Sequence, residues 1–140
     1  MSPESYFADT NVFLRYLTDD LPKQADAFEA ILRQAAAGEA SLVTNHMVIA
    51  EIVWTLESYY RLSKSEIQEK VFAMLNTPGL QVENADLVLQ AMLWYVELNV
   101  DYIDAYNVAW MLENGLQTAC TFERAHFSRF EAINVMVPGE

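Results

Sequence analysis

The sequence predicts an α/β fold made of parallel βαβ units, with helices on both faces of a sheet. Three observations predict it. Short apolar runs alternate along the chain with longer stretches of helical periodicity. Two of those runs, the first and the fourth, are followed at once by an acid (Asp9 and Glu123), and ligands of open parallel sheets bind at the carboxyl ends of strands. The chain has 140 residues, 53% of them hydrophobic, and no internal repeat, low-complexity segment or linker. That is enough for one domain, residues 1–140, with a sizeable core. The helical content is high, so an all-α arrangement stays open as the alternative.

Met1 to Ser5 reads as a lead-in. Phe7 to Asp9 reads as a short buried first strand, and Val12, Phe13, Tyr16 and Leu17 have the spacing of a helix after it. Thr18 to Pro22 breaks that helix; Asp20 stands near a new N-terminus and Pro22 suits a first helical turn. Ala25, Phe28, Ile31, Leu32 and Ala35 then form one apolar face, closed by Gly38. Ser41 to Thr44 is the second strand. Thr44 or Asn45 can cap a helix from about His46 to Tyr60. Ser63 and Glu66 make a capping-box pattern that opens a helix to about Leu75, and Thr77-Pro78-Gly79 ends it. Leu80 to Val82 is the third strand. Asn84 can cap a helix to about Leu98, with Leu87, Ala91, Trp94 and Leu98 on one face. Asp101 opens the next, through Glu113, and Gly115 stops it. Thr118 to Phe122 reads as the fourth strand and Ile133 to Val137 as the fifth, with a helical turn between them.

Twenty acids stand against eight bases, a net charge of −12. Such a balance favours divalent cations and basic partners. It argues against nucleic acid except where a metal carries the phosphate contact and inverts the local charge logic. The single cysteine, Cys120, excludes a disulfide framework. Between Ala119 and Thr121 it reads as a small buried hydrophobe. The N-terminus lacks a basic region followed by an apolar one, and no apolar run is long enough to span a bilayer. The expectation is a cytoplasmic protein.

Most acids fall on solvent-facing helix positions. Four do not. Asp9 follows the first strand, where a helix cap is the plain alternative. Glu51 lies inside Met47-Val48-Ile49-Ala50-Glu51-Ile52-Val53-Trp54, an apolar stretch that reads as a buried helix. A carboxylate there must be paired, protonated or metal-bound, and Arg61 and Lys64 are too far along the chain to pair locally. Asp101 and Asp104 open a helix; Asp101 fits the cap, whereas Ile103, Ala105, Val108 and Ala109 around Asp104 read as buried. Glu123 follows the fourth strand, where a surface loop residue is the plain alternative. Carboxylate oxygens suit Mg²⁺ and Mn²⁺. Such ions bind phosphates and activate water, so an acid set without Cys or a nearby His points to phosphodiester hydrolysis.

At Asp9-Thr10-Asn11, Glu51, Asp104-Ala105 and Thr121-Phe122-Glu123 the sequence resembles the PIN-domain ribonucleases, over nearly its whole length. Its size resembles the VapC-like toxins of toxin–antitoxin pairs. The resemblance implies a three-layer α/β/α sandwich around a five-stranded parallel sheet, with the first and fourth strands adjacent. It implies an Mg²⁺- or Mn²⁺-dependent endoribonuclease acting on RNA, a homodimer, and an antitoxin that blocks the site. Asp9, Glu51 and Asp104 match the family's acidic positions; Thr10, Asn11 and Thr121 match its supporting hydroxyl and amide positions. The final acid of the family is usually Asp, and here it is Glu123, whose extra methylene shifts the carboxylate by about one bond length against a metal intolerant of poor geometry.

On this reading Asp9, Asp104 and Glu123 hold metal, and Glu51 completes the shell or orients water. Arg15, Arg124 and Arg129 are the bases placed to contact RNA phosphates. His46 and His126 read as packing or surface residues. Two rivals remain: a metal-dependent phosphatase with Asp9 as nucleophile, weakened by Asn11 where a second Asp belongs, and a non-catalytic PIN-like interaction domain.

Overall fold

The structure, a computed structural model, describes residues 4–140; Met1, Ser2 and Pro3 of the expected lead-in lie outside them. The chain divides into two compact units, Met1–Ala85 and Asp86–Glu140. Among the described residues there are six α-helices and five strands, and every strand pairing is parallel.

The first unit holds β1 (Glu4–Phe7), α1 (Thr10–Thr18), α2 (Pro22–Ala36), β2 (Ala40–Thr44), α3 (His46–Ser58), α4 (Lys64–Leu75) and β3 (Leu80–Val82). Its sheet runs β1-β2-β3, with Tyr6 opposite Leu42 and Leu42 opposite Leu80. The first strand ends two residues earlier than expected. Ala8 makes the last backbone bond to Val43, at 2.9 Å. Asp9 then caps α1, and that takes the chain out of the ladder. Tyr6 and Phe7 are exposed, not buried. The core forms where helices cover the sheet: Phe13 meets Phe28 edge-to-face at 5.4 Å, and Ile49, Ile52, Leu56, Ile67 and Val71 are fully buried. Gly79, just before β3, has φ +80, and a Cβ there would stand 2.4 Å from the Ala35 carbonyl oxygen. Only glycine permits that approach.

Several sequence signals are met. Pro22 is the first residue of α2. Asn45 caps α3 through the Val48 amide at 3.0 Å, which frees Thr44 to bury its hydroxyl and donate to the Ala8 carbonyl at 2.8 Å. Ser63 and Glu66 form the full capping box. Asp20, by contrast, does not cap α2; its carboxylate accepts the Tyr60 hydroxyl at 2.6 Å.

The second unit carries α5 (Ala85–Glu97) from Asp86 on, α6 (Tyr102–Glu113), β4 (Thr118–Cys120), a 3-10 turn (Arg124–His126) and β5 (Asn134–Met136). Ala119 pairs with Val135 in a two-stranded sheet. The buried stripe of α5 is Val88, Ala91, Met92 and Tyr95, one position round from the expected Leu87, Ala91, Trp94 and Leu98. This helix is apolar nearly all round, so periodicity alone does not fix its phase. Tyr95 meets Tyr102 edge-to-face at 6.3 Å, and Trp94 meets Phe130 at 5.4 Å.

The α/β class with parallel strands and intervening helices holds, but the single five-stranded sheet does not. The ladders among the described residues divide three and two, β1-β2-β3 and β4-β5. An apolar run shows that a strand forms; its neighbour is a non-local choice that the run does not encode. No helix among the described residues is long and apolar enough to cross a membrane.

Candidate active site

In the first unit Asp9 stands at the sheet's edge with extended backbone (φ −88, ψ 169), and its Oδ1 accepts the Thr10 amide at 2.8 Å. The cap was the plain alternative for this residue, and it is present. It occupies one carboxylate oxygen and leaves the other for a ligand. Thr10 is buried below it and Asn11 is exposed. Glu51 differs from expectation: it is exposed. Helix α3 buries Val48, Ile49, Ile52, Val53 and Leu56. Met47, Glu51 and Trp54, at i, i+4 and i+7, share the opposite face, and Met47 and Trp54 are 72% and 67% exposed. Exposed apolar neighbours gave the segment its buried look. Glu51 is therefore a solvated carboxylate with no buried charge to compensate.

In the second unit Asp101 takes the cap position of α6 but makes no side-chain cap bond. Asp104, in the first turn, has a side chain only 18% exposed. Burial raises its carboxyl above the usual carboxylate range; His126 opposes the rise and Asp101 adds to it. His126 Nδ1 lies 3.8 Å from Asp104 Oδ1. Nothing in the sequence spacing pointed to His126. Its only signal was its place three residues after Glu123, in the same turn.

Glu123 is exposed and precedes that turn. Its amide donates to the Thr121 hydroxyl at 3.0 Å, and its carbonyl accepts the His126 amide at 3.3 Å. The turn is tied to β5 as well, through the Thr121 amide and the Met136 carbonyl at 3.1 Å. Within this unit, then, one buried-edge acid, Asp104, meets the segment that carries Thr121, Phe122, Glu123 and His126. Cys120, expected to be buried, is exposed at the end of β4. The alternation along that strand leaves only Ala119 inside.

The three arginines named for phosphate are engaged within the protein. Arg15 pairs with Asp20 at 3.1 Å and lies 3.5 Å from the Tyr60 hydroxyl. Arg124 pairs with Glu140 at 3.2 Å. Arg129 donates to the Leu98 carbonyl at 2.8 Å. His46 pairs with Glu83 at 2.6 Å.

Each unit carries a hard oxygen donor suited to a metal. Asp9 has a spare oxygen, and Asp104 is an undersolvated carboxylate whose charge a cation would relieve. That donor chemistry suits Mg²⁺ or Mn²⁺. No group of three or more His, Cys, Asp or Glu side chains that could hold a metal ion is assembled among the described residues.

Comparison with protein families decides the family. The PIN domain matches residues 6–133, almost the full length of the chain. The chain belongs to the PIN domain family. PIN domains are in general nucleases and in general depend on divalent metal. The matched span includes Asp9, Glu51, Asp104 and Glu123 of this PIN domain. Among curated proteins, none matches the chain.

Proposed function

We propose that this PIN domain, taken as a single nuclease domain over residues 1–140, is an endoribonuclease dependent on Mg²⁺ or Mn²⁺. We propose further that it is the cytoplasmic toxin of a toxin–antitoxin pair. The observation that carries the nuclease reading is the family match over residues 6–133, a span that contains Asp9, Glu51, Asp104 and Glu123. The toxin role is supported by the charge of −12, which suits a basic antitoxin. A homodimer is supported by the exposed Met47 and Trp54 on α3.

Asp9, Asp104 and Glu123 are the residues to hold the cation, which when bound supplies charge neutralisation at the phosphate and an acidified water. The rest falls to the chain's own groups. The Thr10 amide fixes the rotamer of Asp9. Partial burial keeps Asp104 poorly hydrated, so that a cation is a better partner for it than water. The Thr121 hydroxyl anchors the Glu123 amide and sets the direction in which that longer side chain leaves the turn. Glu51 stands free to take a proton or orient water on the exposed face of α3.

The test compares the wild type with Asp9→Asn and Asp104→Asn on RNA, with Mg²⁺ or Mn²⁺ and with EDTA. Cleavage by the wild type only with metal, reduced more than about 100-fold in each variant, is expected, since losing a ligand exceeds the effect of losing a supporting residue. Equal cleavage by all three proteins sinks the assignment. Phosphate release from a phosphomonoester without RNA cleavage favours the phosphatase. Unchanged growth of a host producing the wild-type chain counts against the toxin role.

A further inference from the structure

Phe122 is 76% exposed, the joint highest value among the exposed large apolar residues described. The other residue at 76%, Tyr59, rests its ring on Tyr60 at 4.9 Å. Phe122 has no ring partner among the described residues. It is also not on a loose loop. Thr121 before it is bonded to Met136, and Glu123 after it donates back to the Thr121 hydroxyl. A backbone hydrogen-bonded on either side thus holds a large apolar ring in water, one residue from Glu123 and just before the turn whose His126 lies 3.8 Å from Asp104. Such exposure forgoes the stabilisation that burying the ring would give.

Charge narrows what the ring serves. Of eight Lys and Arg residues, Arg15, Arg33 and Arg124 are held in carboxylate pairs, and Lys70 and Arg129 donate to backbone carbonyls. Few cations are left to grip phosphates on a chain of net charge −12. Where no metal carries the phosphate contact, a nucleic acid held by this protein draws much of its affinity from a contact that does not depend on phosphate charge. Stacking of an unpaired base on an aromatic face is such a contact.

Resting on the nuclease reading above, we propose that Phe122 is a stacking platform for one unpaired RNA base beside Glu123 and Asp104, and that it determines which strand position enters the site. Binding is then weakly salt-dependent, because little counterion release accompanies it.

The experiment measures binding of a short labelled single-stranded RNA to the full chain in EDTA, where hydrolysis stops. Wild type is compared with Phe122→Ala, Phe122→Leu and Phe122→Trp, each checked by circular dichroism. Loss of about tenfold in affinity for Ala and for Leu, with Trp near wild type, is expected, the worth of one base–aromatic stack. Leu keeps apolar bulk without a ring face, so its failure separates stacking from simple burial. Replacing single bases by abasic ribose should find one position whose loss weakens wild type about as much and adds nothing in Phe122→Ala. Equal binding by all four proteins overturns the proposal. So does a steep fall of wild-type affinity with salt, or no binding by the wild type, since a stack needs no metal. Binding that depends on Phe122 without any metal-dependent cleavage would sink the nuclease reading and leave the platform standing. Cleavage with binding indifferent to Phe122 would do the reverse.

Discussion

Tyr102 carries the only buried side-chain polar atom without a hydrogen-bond partner among the described residues. Burial also pushes its hydroxyl well above the ordinary tyrosine range. An orphaned buried hydroxyl costs about 1–3 kcal/mol, so Tyr102→Phe should raise stability by about 1 kcal/mol in urea unfolding. A loss of stability would show that the hydroxyl serves a partner. Asp20 behaves in the opposite sense. The Tyr60 hydroxyl, then Thr18 and Arg15, hold its carboxyl below the usual value, with burial opposing. A depressed folded-state value means that the ionised form stabilises the fold above the unfolded carboxylate value of about 3.9. That stability is lost as pH falls through the lower folded value. Asp20→Asn should therefore remove part of the acid-limb decline in a plot of stability against pH below about 4, while lowering stability at neutral pH. An unchanged acid limb would show that the Tyr60 bond does not persist in solution. Asp9 heads a helix and Asp104 lies among mostly buried neighbours, as their places in the sequence predict, because their neighbours on the chain are also their surroundings. The approach of His126 was not legible in the same way, because 22 residues separate it from Asp104 and only the return of the chain after β4 brings the two side chains within 3.8 Å.

The helices were legible wherever a local rule governs their ends. The capping box at Ser63 and Glu66, the proline opening α2 and the Asn45 cap are all satisfied by neighbours within three residues. Ser63→Ala should cost about 1 kcal/mol, measured by thermal or urea unfolding. Gly79→Ala should cost more than about 1 kcal/mol, since it combines an unfavourable φ with a backbone clash at Ala35; a neutral result would mean that the end of α2 shifts freely. Which way a helix faces was less legible. In α3 a run with a single acid among eight residues looked buried all round, yet only Val48, Ile49, Ile52, Val53 and Leu56 are inside. Hydropathy records what a side chain prefers, and Met47 and Trp54 show that the preference is not always met.

At the scale of the molecule the excess of carboxylates dominates. Twenty acids against eight bases repel one another, so stability should rise as monovalent salt screens them over the first few tenths molar. Mg²⁺ should add a further increment at matched ionic strength, and Asp9→Asn and Asp104→Asn should each diminish that increment. A melting temperature indifferent to both salts would overturn this. The class of fold was legible from alternating apolar runs and amphipathic helices, and the family match agrees with it. The partition of five strands into three and two was not. Strand partners lie tens of residues apart, and three-residue strands such as β3, β4 and β5 offer little pattern to match.

Cys120 gives the molecule an experimental handle. It is the single thiol of the chain, it is exposed, and it stands two residues before Phe122 and three before Glu123. One maleimide fluorophore or nitroxide per chain can be placed there without removing any native cysteine. Its emission or mobility would report directly on what settles over the turn: RNA, a divalent ion or a protein inhibitor. The same accessibility allows two chains to join through an intermolecular disulfide in air, so measurements of oligomeric state need a reductant present.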